Sequence, residues 1–189
     1  MFMKNSYALI TGSSSGIGLE IAKELAKKGF NIILTARRED KLREQAESIS
    51  ETHNVKVDFF SSDLSLEDAP NNIYNFCNDQ GYQIDVLVNN AGYGIKTPFH
   101  ETSMQDEEKF IRVLGTSVIA LTKIFIPKML EQGHGKIMIV SSVAAFAPPS
   151  SIQALYGPIK TFMNRFSDSL NINYKPVSYT HLRAHETDI

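Results

Sequence analysis

Residues 7–18 read YALITGSSSGIG, and they contain the strongest indication of the fold in this chain. An apolar run of the length of one buried strand ends in a glycine turn, after which a helical pattern begins. Such a layout aims the N-terminus of a helix at the pyrophosphate of a dinucleotide. Gly12 is then expected to make the tight turn, Gly16 to let the backbone approach phosphate, and Gly18 to allow close packing of helix on strand. Taken alone, a glycine-serine turn could also be an ordinary loop.

Strand-like runs recur along the chain, each separated from the next by a segment of helix length. They cover residues 7–11, 31–35, 55–60, 84–88 and 136–141. Crossovers of this length require parallel strands with helices on both faces of the sheet. The sequence therefore predicts an α/β fold, a Rossmann-type doubly wound parallel sheet in three layers, with its ligand crevice at the carboxyl ends of the strands. The residues that follow strand ends are Gly12, Asp63, Asn90 and Ser142.

Apolar residues at helical spacing predict two long helices in the second half of the chain. One covers residues 106–131, with Pro127 near its end as a kink, and the other runs through Leu155, Phe162 and Leu170. Packing inside the protein is the first interpretation of both apolar stripes, and a subunit interface is the second.

Composition indicates one globular domain in a reducing compartment. The chain has 189 residues, 42% of them hydrophobic, and a formal net charge of −2. Acidic and basic residues are interspersed, which gives no footprint for nucleic acid or an anionic membrane. The N-terminal apolar run is too short for a signal peptide or a membrane span. Cys77 is the single cysteine of the chain, so an internal disulfide is excluded. A lone cysteine fits a reducing compartment, and the cytoplasm is therefore the expected location. Cys77 itself is interpreted as an ordinary helix residue.

Four motifs occur in order: TGSSSGIG at 11–18, NNAG at 89–92, Ser142, and YGPIK at 156–160. Together they resemble the short-chain dehydrogenase/reductase family, over nearly all of the chain up to about Lys175. The resemblance implies one nicotinamide-binding Rossmann domain that oxidises alcohols or reduces carbonyl groups of small molecules. It also implies that the two long helices pair across a homodimer or homotetramer of the full-length protein.

Tyr156 and Lys160 are four residues apart, and therefore lie on one face of a helix. The ordinary pKa of tyrosine, about 10, suits neutral chemistry poorly, and a nearby cation favours the phenolate. The family pattern makes Tyr156 the proton donor to the carbonyl oxygen and Ser142 the hydrogen-bond partner of that oxygen. It makes Lys160 also a ligand of the nicotinamide ribose. Ser141 is the competing serine, and a Tyr/Lys pair taken alone is more often an exposed pair.

The end of the second strand indicates which cofactor binds. An NAD site would place an acidic residue where Ala36 stands. Arg37 can instead bind a 2′-phosphate, so NADP(H) is favoured over NAD(H). The alternative is a solvated pair of arginines, Arg37 and Arg38.

Further cofactor contacts follow from the resemblance. Asp63 and Leu64 match the adenine-edge position, although Asp63 could instead cap the following helix. Asn90 and Gly92 match the part of the site that holds the adenosine ribose. The predicted cofactor-binding set is Gly12, Ser14, Gly16, Ile17, Gly18, Arg37, Asp63, Leu64, Asn90, Gly92, Tyr156 and Lys160, and no metal site is predicted.

One position departs from the family pattern. Where the long helix of the family supplies an asparagine that orders a water beside the lysine, alignment on Thr122 and Pro127 places Leu114. The leading hypothesis is an NADP-dependent oxidoreductase with Tyr156 as general acid and base. The rival is a catalytically weak or inactive dinucleotide-binding regulatory or scaffold protein. The retained catalytic residues favour the enzyme, whereas Leu114 and the Gly157–Pro158 pair favour the rival.

The end of the chain is expected to have a different origin. From Val177 it reads VSYTHLRAHET, which matches one frame of the adapter used in transposase-made sequencing libraries. The expected division is a truncated Rossmann domain at 1–176 and a non-native tail at 177–189. The tail is then expected to be disordered or loosely placed, and His181 and His185 to have no metal role. The sheet would be incomplete on its C-terminal side and the substrate pocket missing, so the truncated chain itself could be inactive.

Overall fold

Strands and helices alternate along the computed structural model, which describes residues 6–148, 154–174 and 178–184. The strands are β1 Ser6–Thr11, β2 Asn31–Ala36, β3 Val57–Ser61, β4 Gln83–Asn89, β5 Lys136–Ser142 and β6 Ser178–Ala184. The helices are α1 Gly16–Lys27, α2 Glu39–His53, α3 Ala69–Asp79, α4 Met104–Ile111, α5 Ser117–Gln132 and α6 Tyr156–Asn173. All five predicted strands are therefore present.

The strands form one parallel sheet in the order β3-β2-β1-β4-β5-β6. In β1, Leu9 pairs with Ile33 of β2 on one side and with Leu87 of β4 on the other. The chain thus winds outward from β1 in both directions, and the reversal of strand order lies between β1 and β4. A ligand crevice is expected at the carboxyl ends of these strands. The predicted Rossmann-type doubly wound fold is confirmed.

Hydrophobic cores cover both faces of the sheet, as parallel strands require. On one face, α1 and α2 pack on the central strands, and the fully buried side chains there include Ala22, Leu42, Ile10, Ile32 and Leu34. On the other face lie α3, α5 and α6, and the buried residues include Ile73, Leu121, Met163, Leu9 and Leu87. The three-layer prediction is therefore correct.

The predicted helix at 106–131 consists of two α-helices joined by a π-helical stretch, Arg112–Thr116. A π turn closes hydrogen bonds from residue i to i+5, and it is often found at functional sites. Pro127 lies inside α5 without ending it.

The stretch Met104–Gln132 is long and apolar enough to cross a membrane, judged by length and composition alone, because an 18-residue window within it has a mean hydropathy of 1.6. In this fold it packs against the sheet, where Leu121 and Met129 are fully buried. Its apolar composition is explained by its place in the core.

Residues 178–184 form β6, so the prediction of a disordered tail is wrong for this segment. β6 pairs in parallel with β5, with Lys136 opposite Ser178 and Ser142 opposite Ala184. The physical reason is that β5 would otherwise present an unpaired edge, which can accept an extended segment through backbone hydrogen bonds. The predicted junction at Pro176 and residues 185–189 lie outside the described residues. The adapter origin of the tail stays a prediction.

Candidate active site

The loop between β1 and α1 is fixed to the end of β4 by Thr11 and Asn90. The Thr11 hydroxyl accepts hydrogen bonds from the backbone N–H groups of Asn90 at 2.9 Å and Ala91 at 3.0 Å. In return, the Asn90 side-chain amide donates to the carbonyl oxygens of Thr11 at 2.9 Å and Gly12 at 3.1 Å. These four hydrogen bonds hold the glycine loop in one position, and so fix the wall of the cleft beside it.

Two of the three loop glycines are required by this packing. A Cβ atom at Gly12 would lie 2.8 Å from the Ala91 Cα, and one at Gly18 would lie 2.6 Å from the Gly12 oxygen and overlap the Asn90 amide. Gly16 has a φ of +60° and no neighbouring atom within 4 Å of such a Cβ, so its requirement is one of backbone conformation.

The N-terminus of α1 has no side-chain cap. Ser15 occupies the N-cap position, but its hydroxyl makes no capping hydrogen bond. The first N–H groups of a helix have no partner within the helix, and they attract anions. The uncapped helix and the open surface of Gly16 therefore fit the pyrophosphate of a dinucleotide.

A cleft of about 390 Å³ is lined by residues that follow β1, β2, β3 and β4. The predicted cofactor-binding residues in its wall are Gly12, Ser14, Arg37, Asp63, Leu64 and Gly92. Gly16, Ile17 and Gly18 open α1 beside it, and Asn90 supports the loop. Residues in the wall that lie outside the predicted cofactor-binding set include Ser15, Arg38, Tyr93, Lys109 and Val113.

Arg38, more than Arg37, contacts the glycine loop. Its Nη2 atom donates to the hydroxyls of Ser14 at 3.0 Å and Ser15 at 3.2 Å. Arg37 lines the same cleft, while its carbonyl accepts a hydrogen bond from Ser61 at 3.1 Å. The signal for Arg38 was present in the sequence, because both arginines follow the end of β2. Two cations here favour an anionic group on the ligand.

Asp63 and Tyr93 form the far side of the cleft. The Asp63 carboxylate accepts a hydrogen bond from the Ser65 N–H at 2.9 Å and so closes a turn. The N-cap of α3 is Asp68, so the alternative that Asp63 caps this helix is wrong. Burial raises the pKa of Tyr93, and the nearby Arg37 acts in the opposite direction.

The first turn of α6 packs on the turn that follows Ser142. A Cβ atom at Gly157 would lie 3.0 Å from the Ala144 oxygen, so glycine allows this close approach. The Thr161 hydroxyl lies 3.0 Å from both the Ala145 and the Gly157 carbonyl oxygens, and so bridges the turn and α6. Gly157 thus has a structural role at the site.

Tyr156 and Lys160 are both buried at this contact. The Lys160 ammonium lies 5.7 Å from the centroid of the Tyr156 ring and donates to the Val140 carbonyl at 2.8 Å. An exposed pair is therefore excluded. The structure places the predicted catalytic tyrosine and lysine together at the end of β5.

The two candidate serines differ in what their hydroxyls contact. The Ser142 oxygen accepts a hydrogen bond from the Ala144 N–H at 3.2 Å, which leaves its own proton free to donate to a ligand. Ser141 points to the opposite face of the strand, and its buried hydroxyl has no hydrogen-bond partner among the described residues. This geometry favours Ser142.

The model of the short chain dehydrogenase family matches residues 6–180. The chain belongs to the short-chain dehydrogenase family.

Curated members of the family match most of this chain. A very-long-chain 3-oxoacyl-CoA reductase from Rattus norvegicus is 34% identical over 173 residues, which is 89% of this chain and 54% of that protein. Hydroxysteroid dehydrogenase-like protein 1 from Gallus gallus is 36% identical over 171 residues, or 89% of this chain and 51% of that protein. The chain thus spans about half the length of these relatives.

Solved short-chain dehydrogenase structures share the fold. One from Sphingobium yanoikuyae, in complex with NADPH, has a TM-score of 0.90 and 27% identity, and the match covers 97% of this chain and 72% of that one. L-sorbose reductase from Gluconobacter frateurii, complexed with NADPH and L-sorbose, has a TM-score of 0.84 and 31% identity, and covers 90% and 65% respectively.

Leu114 is the residue that the alignment on Thr122 and Pro127 places at the asparagine position of the family pattern. It lies in the π-helical stretch, is 1% exposed, and would be 3.8 Å from a Cβ atom at Gly92. An apolar side chain cannot order a water by hydrogen bonding. Among the described residues, no group of three or more His, Cys, Asp or Glu side chains is placed to hold a metal ion.

Proposed function

We propose that the protein is an NADP(H)-dependent oxidoreductase that transfers hydride between NADPH and a carbonyl or alcohol substrate. The observation that carries this proposal is the buried pair of Tyr156 and Lys160, with the ammonium 5.7 Å from the ring centroid. A protein that only binds a dinucleotide has no use for a buried proton donor at this position.

Each catalytic residue has a role in moving or holding a proton. NADP(H), when bound, supplies or accepts the hydride. Tyr156 gives its proton to the carbonyl oxygen during reduction and takes it back during oxidation. Ser142 donates its free hydroxyl proton to the same oxygen. Lys160, held by the Val140 carbonyl, favours the phenolate of Tyr156 through its positive charge and also binds the nicotinamide ribose.

The cofactor preference is assigned to the end of β2. Ala36 leaves no carboxylate to repel a 2′-phosphate, and Arg37 lines the cleft. Arg38, on Ser14 and Ser15, adds a second cation within reach of the same phosphate. This supports NADP(H) over NAD(H), as do the two solved relatives whose names include NADPH.

The full-length protein is proposed to act in the cytoplasm on a small molecule, as a homodimer or homotetramer. Phe162 and Ile172 on α6 are 54% and 75% exposed, and Phe162 stacks on Phe166 with 6.5 Å between ring centroids. An apolar face of this kind supports a subunit interface. The free, buried Cys77 supports a reducing compartment.

Isotope transfer tests the proposed reaction. Full-length protein is supplied with NADPH that carries deuterium at both C4 positions and with a set of aliphatic and aromatic ketones. Mass spectrometry of the alcohol then shows whether the deuterium reaches the carbinol carbon. Deuterium in the product supports the enzyme, whereas NADPH binding without transfer to any ketone favours the rival, a dinucleotide-binding regulatory protein, for which Leu114 is the main support.

A further inference from the structure

Glu107 places a buried carboxylate in the wall of a small hollow beside Tyr156. It lies on α4, and only 6% of it is exposed. The other residues in the wall are mostly apolar, and include Ile95, Phe99, Phe110 and Leu155. The neighbouring Glu108 is exposed to solvent. Glu107 therefore faces the catalytic end of the sheet, not the protein surface.

The hydrogen bonding of Glu107 is incomplete. Among the described residues, the one hydrogen-bond partner of its carboxylate is Thr102, whose hydroxyl lies 2.5 Å from Oε1. The same hydroxyl lies 2.8 Å from the Phe99 carbonyl, and a hydroxyl has one proton to donate to these two acceptors. The described ion pairs do not include Glu107. A buried carboxyl group with so few donors is costly in a core, which points to a ligand that supplies one.

The size of the hollow limits what can enter it. The volume open to the centre of a water-sized group is about 10 Å³. This is about the space that one water molecule needs. The hollow therefore admits a single hydroxyl or ammonium group, while a ring or an alkyl chain must remain outside, near Tyr156.

We propose that Glu107 is a specificity residue that accepts a hydrogen bond from a donor group on the substrate. The substrate class is a carbonyl compound with an apolar body that carries a hydroxyl or ammonium group in addition to the carbonyl. The donor enters the hollow, and Tyr156, in the wall of the same hollow, acts on the carbonyl oxygen. This inference rests on the proposed function, because it assigns the substrate of that same site.

Binding to the oxidised complex tests this role without turnover. Full-length protein is saturated with NADP⁺, which has no hydride to give to a ketone. Calorimetry then compares acetophenone, 3-hydroxyacetophenone and 3-(aminomethyl)acetophenone. We expect at least one donor-bearing ketone to bind about tenfold more tightly than acetophenone, the ratio expected for one hydrogen bond to a charged group. Preference for the hydroxyl compound identifies a neutral donor, and preference for the amine identifies a cation.

Variants assign the effect to Glu107. Glu107→Leu should remove the preference, and Glu107→Gln should keep a preference for the hydroxyl compound but lose one for the amine. Glu108→Leu is the matched control on the same helix and should behave as wild type. Thermal unfolding with and without NADP⁺ shows that each variant folds and binds cofactor.

The measurements distinguish failure of the proposed role of Glu107 from failure of the proposed oxidoreductase function. Equal Kd values for the three ketones, no detectable ketone binding, or a preference unchanged by Glu107→Leu would each overturn the role of Glu107 while cofactor binding stands. Absence of NADP⁺ binding in the same calorimeter would overturn the proposed function itself.

Discussion

The Lys160 ammonium lies 5.7 Å from the centroid of the Tyr156 ring. The Val140 carbonyl holds the same nitrogen at 2.8 Å, so the cation is anchored to the end of β5 by the main chain. This hydrogen bond fixes the ammonium group close to the Tyr156 ring.

Tyr156→Phe should lower kcat for carbonyl reduction more than tenfold, equivalent to at least ~1.4 kcal/mol in the activation barrier. The ring still packs, so the Kd for NADPH should hardly change. Lys160→Ala should affect both quantities, since it removes the cation and a ribose ligand. NADPH consumption and a fluorescence titration measure the two effects, and retention of more than about a tenth of the activity by Tyr156→Phe would contradict the general-acid role.

The double variant Ala36→Asp/Arg37→Ala should reverse the preference for NADPH over NADH, because a carboxylate then faces the 2′-phosphate. Adding Arg38→Ala should weaken NADPH binding further, as Arg38 lies on the glycine loop. Titration of each protein with both cofactors checks this. Lys41→Ala, which removes an exposed cation paired with Glu44, is the charge-matched control. An unchanged preference in the double variant would refute the assignment.

Gly18→Ala should lower both the melting temperature and the affinity for NADPH, because its Cβ would overlap the Asn90 amide that braces the loop. Gly115→Ala is the matched control. Its Cβ would meet Ile159 and Met163 at 4.0 Å, an ordinary contact. Thermal unfolding and cofactor titration compare the two, and equal behaviour would show that Asn90 can move aside.

Burial, with a smaller effect of Asp58, raises the pKa of Cys77 from 9.0 to about 12. Below about pH 9 the thiol is neutral in both the folded and the unfolded chain, and its contribution to stability is fully present. As the pH rises from 9 towards 12 the unfolded chain loses this proton first, so the free energy of unfolding decreases. The pKa values of Tyr7 and Tyr82 are also raised, so these two tyrosines should add to the loss of stability of the wild type at high pH. Cys77→Ala should show a smaller decrease in the free energy of unfolding between pH 9 and 11, measured by urea denaturation. Parallel pH profiles would contradict this origin.

Removal of residues 175–189 should lower the melting temperature of the chain, because β5 loses the strand that pairs with it from Lys136 to Ser142. Removal of residues 185–189 alone is the control and leaves β6 intact. If the two truncated proteins have the same melting temperature, β6 contributes no stability.

Much of the fold could be predicted because its signals are local. The apolar runs of β1 to β5 and the helix-length segments between them specify a parallel sheet, and Gly12 marks where the first strand ends. β6 was missed because its pairing depends on the free edge of β5, which is a property of the sheet and not of residues 178–184. The π-helical stretch was missed because periodicity does not distinguish it from a continuous α-helix.

The candidate site was predictable where side chains act through a short motif, as for Tyr156 and Lys160. Arg38 was passed over because which of two adjacent arginines turns toward the loop depends on the positions of Ser14 and Ser15. Glu107 reads as one acidic residue among several in a surface helix, and only the packing of α4 shows that it is buried.

The π-helical stretch Arg112–Thr116 also determines where this helix can vary in length. A π turn holds one residue more than the α-helical turn it replaces, so loss of one residue there would restore a regular helix and leave both flanks in place. The same deletion within α5 would rotate all residues on one side of it by about 100° and turn Leu121 or Met129 away from the sheet. Single-residue deletions should therefore be tolerated between positions 112 and 116 and rejected further along the helix.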